Sequence, residues 1–232
     1  MSIRERLDIS AYLVIGQENT TRPVEEIVAA AVSEGFTCVQ IRSKVATARE
    51  MIDTLDKSAR VIRELGKSDS VALLVDDRLD IVLAAREAGI KVDGVHVGQS
   101  DIPVEVCRKY LGADSIVGLS ARTEELIDYV KAADVSQIDY FGAGPLHETK
   151  TKPDCGKTAD GRIITHDFKE FAELVKVSPR PIVVGGGVKV KDIPTLAATG
   201  VDGFFVVSAV ADANNPKLAA RELVEAWRKA EL

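Results

Sequence analysis

Short runs of β-branched and apolar residues alternate, from one end of the chain to the other, with longer stretches whose apolar positions recur every three or four residues. The short runs predict strands at Ala11–Ile15, Cys38–Arg42, Val71–Asp77, Gly94–Gly98, Ile116–Ser120, Tyr140–Pro145, Pro181–Gly187 and Gly203–Ala209. The longer stretches predict helices at Pro23–Glu34, Thr47–Leu65, Leu79–Ala88, Pro103–Leu111, Glu124–Val135, Asp167–Val177, Val190–Ala198 and Pro216–Lys229. Pro23, Pro103 and Pro216 fall at first-turn positions, and Gly35, Gly66, Gly89, Gly112 and Gly200 fall just past helix ends. Strand–helix–strand units make parallel strands. Eight such units in about 220 residues form the pattern of a (β/α)8 TIM barrel, an α/β fold. The expectation is one domain over residues 1–232, with a short N-terminal extension of about ten residues. A doubly wound open sheet is the runner-up, but it rarely needs eight evenly spaced units. The longest stretch without either pattern is Leu146–Thr165, after the sixth strand. A loop of that length in a compact domain is usually functional or disordered.

Composition narrows the classes. The 232 residues are 46% hydrophobic and 28% charged, enough for a sizeable core. A net charge of −6 disfavours non-specific nucleic-acid binding and leaves room for a local basic pocket. Three scattered cysteines, Cys38, Cys107 and Cys155, argue against a disulfide framework or a zinc cluster. The start, MSIRERLDIS, carries charges where a signal peptide would be apolar, and no run reaches the length of a membrane span. The expected protein is soluble, reduced and cytoplasmic, acts on small molecules without nucleic acid or membrane, and is compatible with a homo-oligomer.

Active sites of such barrels lie at the carboxyl ends of the strands. The stretch Leu73–Asp101 is a strand ending in Asp76-Asp77, a helix, and a strand running on to Asp101. Parallel strands bring Asp77 and Asp101 to one rim, as a sparse oxygen site for a hard divalent cation. The bland alternative is that each only caps a helix. In the second strand, alternation puts Cys38, Gln40 and Arg42 on one face and Val39 and Ile41 on the other. Gln40 and Arg42 then point into the mouth with Lys44 beyond, and the two cations suit a diphosphate. Ser120 ends the fifth strand and can offer a hydroxyl, although a serine there is commonly a cap. Thr149, Lys150, Thr151 and Lys152 make a plausible anion clamp in the loop after the sixth strand. Gly185-Gly186-Gly187, with Val207-Ser208, sits where barrels of this class often hold a phosphate. Among the histidines, His96 reads as packing, His147 as able to reach the mouth, and His166 as surface. Trp227 most simply packs on the last helix. A cation site and two phosphate sites at one mouth fit a transfer that expels pyrophosphate.

The segments QIRSK, LLVDDRLDI, DGVHVGQSD, VGLSART, DYFGAGPLHETKTKP, PIVVGGGV and GFFVVSAV occur in the order seen in the thiamine-phosphate synthase family. The chain resembles that family from about Ala11 to its end, and GVHVGQSD and GPLHETKTKP are the most specific segments. The resemblance implies that a hydroxymethylpyrimidine diphosphate and a thiazole phosphate join to give thiamine phosphate and pyrophosphate. It implies Mg2+ on Asp77 and Asp101. It implies pyrimidine-diphosphate binding by Gln40, Arg42, Lys44, Ser120 and Lys152, with Arg42, Lys44, Ser120 and Lys152 serving the chemistry. Thr149, Thr151, Gly186, Gly187, Val207 and Ser208 would bind the thiazole phosphate. The family usually has Asn-Asp where this chain has Asp76-Asp77. Asp76 therefore belongs to the substrate-binding set, but its charge lies near the diphosphate and would otherwise serve the metal. The loop after Lys152 is also longer than expected. A related thiazole tautomerase, which needs no diphosphate pocket, and a catalytically silent ligand-binding relative are the alternatives.

Overall fold

The computed structural model describes residues 2–149 and 163–230. Eight parallel strands close in chain order into a barrel. They are β1 (Ala11–Ile15), β2 (Cys38–Ile41), β3 (Ala72–Asp76), β4 (Gly94–Val97), β5 (Ile116–Ser120), β6 (Tyr140–Ala143), β7 (Ile182–Val184) and β8 (Gly203–Val206), with β8 pairing back onto β1. Around them run α1 (Val24–Ser33), α2 (Ala48–Glu64), α3 (Leu79–Glu87), α4 (Val104–Leu111), α5 (Leu126–Ala132), α6 (Phe168–Val177), α7 (Ile193–Ala197), α8 (Ser208–Ala211) and α9 (Pro216–Ala230). The chain is thus a TIM barrel.

Strand alternation sorts the side chains into two layers. Leu13, Val39, Ile41, Leu73, Val75 and Val95 belong to the core between sheet and helices, while Tyr12, Val14, Cys38, Ala72, Leu74 and Tyr140 fill the barrel itself. Burying each of the larger aliphatic side chains contributes roughly 1.5–3 kcal/mol, so a one-residue slip of any strand would be severe. Capping fixes the helix entrances. The Thr47 hydroxyl accepts from the Glu50 N–H and the Glu50 carboxylate accepts from the Thr47 N–H, and Asp167 and Glu170 repeat the exchange at α6.

At the amino ends of the strands the same contact recurs in every second strand pair. The residue just before β2, β4, β6 and β8 (Thr37, Asp93, Asp139 and Asp202) donates its own N–H to a carbonyl near the start of the preceding strand. Its side chain accepts the N–H of that same residue: Ala11 at 3.3 Å, Leu73 at 2.8 Å, Val117 at 2.8 Å and Ile182 at 2.8 Å. Cations complete two of these clasps. Arg4 and Arg108 bind Asp139 at 2.7 and 2.8 Å, and Lys91 binds Asp93 at 2.6 Å. Ile3 and Leu7 pack under the barrel filling.

The observed elements trim the expected ones. The seventh strand stops at Val184 because Gly186 and Gly187 have φ of 82° and 71°, which no strand accommodates. The helix expected from Glu124 begins only at Leu126, since Glu125 itself is left-handed at φ 56°. Pro194 follows a 3-10 turn at Val190–Asp192, so the helix expected there begins at Ile193. The short α8 replaces the end of the expected eighth strand. His166, expected at the surface, is buried: its N–H is tied to the Pro145 carbonyl at 2.9 Å and its ring meets Phe171 edge-on.

Candidate active site

The carboxyl ends of the strands surround a cavity of about 350 Å³ that reaches down to Tyr12, Val14 and Phe205 inside the barrel. Gln40, Arg42, Lys44, Asp77, Asp101, Ser120, Thr149, Gly186, Gly187, Val207 and Ser208 all border it. Asp76 does not border it and lies buried behind. Lys150, Thr151, Lys152 and Cys155 lie outside the described residues.

Strand β2 carries the cationic wall. Gln40 and Arg42 are only 3% and 7% exposed, because alternation turns them inward while Val39 and Ile41 join the outer core. The Gln40 Nε2 is buried without a hydrogen-bond partner, a donor pointed at a cavity that could supply an acceptor. Arg42 Nε lies 3.1 Å from Asp76 Oδ2 as a charge contact out of line for a hydrogen bond. Lys44 pairs with Asp77 and stands 4.0 Å from Asp76. Burial pulls the Lys44 ammonium down, but the hydrogen bond and charge of Asp77, followed by the charge of Asp76, raise it overall.

Two loops carry the acid pair. Asp77 follows β3 with φ 61°, a left-handed backbone that Asp tolerates better than most residues, and its N–H is held by the His96 carbonyl at 2.7 Å. Asp101 follows β4, with Oδ2 accepting the Gly98 N–H at 2.8 Å. Burial first, and then a hydrogen bond with Asp77, raises the Asp101 carboxyl above its ordinary value. The like charge of Asp77 beside it adds to that rise, and the Lys44 ammonium partly offsets it. That donor set suits a hard divalent ion. No group of three or more His, Cys, Asp or Glu side chains able to hold a metal occurs among the described residues, so remaining coordination would fall to substrate oxygens and water.

Across the mouth, the turn after β7 makes a glycine cradle. A side-chain carbon at Gly186 would lie 2.4 Å from Pro145 Cβ, and one at Gly187 would lie 2.8 Å from His147 Cβ. Bare backbone is therefore what fits here, and it lets an anion approach the main chain closely. The start of the β6 loop is strapped across it: Leu146 and His147 donate to the carbonyls of Gly185 and Gly186 at 3.0 and 2.9 Å. His147 also meets Asp192 at 2.9 Å, so it braces the loop rather than facing the cations. Beside this cradle α8 begins at Ser208, and the first N–H groups of a helix have no acceptor within it.

Below the mouth lies a hydrogen-bonded chain that strand alternation alone does not reveal. The hydroxyls of Tyr12 and Tyr140 are 2.8 Å apart, Tyr140 is 2.9 Å from His96 Nδ1, and His96 Nε2 is 2.9 Å from Ser120 Oγ. Burial pushes both phenols well above their ordinary range, so both keep their protons. The signal in the sequence is a pair of glycines. Gly118 sits opposite His96 in the register, and a side-chain carbon there would lie 2.5 Å from His96 Nδ1 and 2.3 Å from the Tyr140 ring. One at Gly142 would lie 3.0 Å from the imidazole.

Comparison with known proteins gives the relatives of this chain. The profile of one family, described as thiamine monophosphate synthase, matches residues 11–210. A thiamine-phosphate synthase of Corynebacterium efficiens is 38% identical over 223 residues, covering 96% of each chain. One of Methanobrevibacter smithii is 35% identical over 222 residues, covering 96% of this chain and 97% of its own. A solved thiamine phosphate pyrophosphorylase from Pyrococcus furiosus superposes with a TM-score of 0.78 at 28% identity, over 98% of both chains. A 3-hexulose-6-phosphate synthase from Salmonella typhimurium, at 16% identity and a TM-score of 0.64, shares the fold alone.

Proposed function

The chain belongs to the thiamine monophosphate synthase family and is a thiamine-phosphate-forming transferase, and from that premise we propose that its cavity transfers a hydroxymethylpyrimidine from its diphosphate to a thiazole phosphate, releasing pyrophosphate. One observation carries this reading: an acid pair with cations beside it and a glycine cradle opposite border a single cavity. A diphosphate would lie against Arg42 and Lys44 and a monophosphate against Gly186, Gly187 and the start of α8. The pyrimidine would then reach the deeper part, where Gln40 Nε2 has no partner.

The bond from the pyrimidine methylene carbon to the diphosphate oxygen breaks with its electron pair going to oxygen. Arg42 and Lys44 stabilise the charge building there. Lys152, outside the described residues, is assigned the same task. Asp77 and Asp101 would hold Mg2+, which when bound neutralises charge on the diphosphate. The thiazole nitrogen then donates its lone pair to the methylene cation, forming the new carbon–nitrogen bond. That nitrogen carries no proton, so no general base is required. The buried Arg42 and its neighbour Lys44 favour this reaction over tautomerisation of the thiazole, which needs no diphosphate site.

Assaying thiamine phosphate formation with Mg2+ and with a chelator tests the proposal. Metal-dependent turnover with stoichiometric pyrophosphate release is expected. Isomerisation of the thiazole phosphate without metal, or binding without turnover, would replace it.

A further inference from the structure

The chain from Tyr12 to Ser120 has a direction, and counting its hydrogens finds it. Tyr12 is 2% exposed and Tyr140 is fully buried. Each phenol has one hydrogen to place, and a buried donor left unmade costs about 1–3 kcal/mol. If Ser120 donated to His96 Nε2, the imidazole would carry its proton on Nδ1 and donate to Tyr140. Tyr140 would then donate to Tyr12, and the best side-chain acceptor that the described residues offer the Tyr12 hydrogen would be the Cys38 thiol, a weak one. If the imidazole carried both protons, one phenol hydrogen would likewise be stranded. The opposite direction strands nothing. Tyr12 donates to Tyr140, Tyr140 donates to His96 Nδ1, and His96 Nε2–H donates to Ser120 Oγ. The Ser120 hydroxyl hydrogen is then left to point into the cavity that Ser120 borders.

We propose that His96 is a positioning residue, fixed by the two interior tyrosines as the Nε2–H tautomer, and that it makes Ser120 an obligate hydrogen-bond donor to an acceptor atom of the substrate, such as a pyrimidine ring nitrogen. Gly118 and Gly142 leave the space that seats the imidazole, so the orientation is built into the sheet. The assignment of the acceptor to the pyrimidine rests on the function proposed above. The tautomer does not.

Nitrogen-15 NMR of the imidazole in the ligand-free protein reads the tautomer directly. The expected spectrum has the Nε2 signal in the protonated range and the Nδ1 signal in the unprotonated range, with loss of that fixed pattern in Tyr140→Phe. A proton on Nδ1 in the unaltered protein overturns the proposal, whatever reaction the enzyme performs. Kinetics supply the second arm. His96→Gln, whose amide N–H can reach Ser120, should keep kcat/KM within about threefold, while His96→Leu should lose about tenfold, mostly through KM for the diphosphate substrate. In a Ser120→Ala background the difference between the two should vanish. An equal loss in both variants, persisting in that background, would mean that His96 only fills space.

Discussion

The barrel carries aspartates at both ends and uses them in opposite ways. At the amino end, Asp93, Asp139 and Asp202 each accept a strand N–H, and Arg4, Arg108 and Lys91 neutralise two of them. Their charges are spent on holding strands in register. At the carboxyl end, Asp76, Asp77 and Asp101 crowd together around Arg42 and Lys44, and burial and the neighbouring Asp77 raise the Asp101 carboxyl. The first arrangement is complete without a ligand. The second sets like charges beside one another at a cavity, which is the mark of a site that trades stability for binding.

The sharpest way to break this comparison is to remove one acid from each end. Asp101→Ala should lower kcat/KM by at least about a hundredfold, by analogy with loss of one electrostatic contact to a transition state, while the unfolding temperature stays level or rises. Steady-state assays with added Mg2+ and thermal unfolding of the same sample check both halves. Asp139→Ala should do the reverse. It leaves Arg108 and the Val117 N–H without their carboxylate, so stability falls by about 3 kcal/mol in denaturant titration, and turnover per folded molecule is unchanged.

Asp76→Asn sharpens the comparison within the upper end. It removes the charge behind Arg42 and near Lys44. KM for the diphosphate should fall several-fold, with some loss of stability as Arg42 gives up its counter-charge. An unchanged KM would mean that Asp76 is only a structural partner of Arg42.

The smallest effect is on pH dependence. Because the folded protein raises the Asp101 carboxyl, between 3.8 and the raised value it holds a proton that the unfolded chain has released. Stability of the metal-free protein should therefore be greatest below the ordinary Asp value of 3.8, as far as this one group is concerned, and should decline as pH rises through the raised value. Mg2+ favours the ionised pair and should flatten that decline. Unfolding temperatures against pH, with and without Mg2+, read the difference.

Most of the architecture was legible because alternation and helix punctuation act locally. Val39 and Ile41 could be assigned outward, and Gln40 and Arg42 inward, from the two-residue period alone. Asp77 and Asp101 could be brought to one rim from parallel topology alone. What escaped depends on cross-strand neighbours. His96 reads as packing until Tyr140, Gly118 and Ser120 are known to surround it. His166 reads as surface until its backbone is found tied to Pro145. The raised Asp101 carboxyl is likewise invisible in a sequence, since it depends on burial and on how near Asp77 sits.

The clasps at the strand starts bear on how such a barrel is assembled. Their ends are separated by only 20 to 26 residues, so each can close within its own strand–helix–strand segment before the first and last strands have met. Contacts that near in sequence cost little loop entropy and speed folding. The molecule can therefore be built as four pre-aligned quarters whose edges already match, and closing the ring becomes the last event rather than the one that sets the alignment.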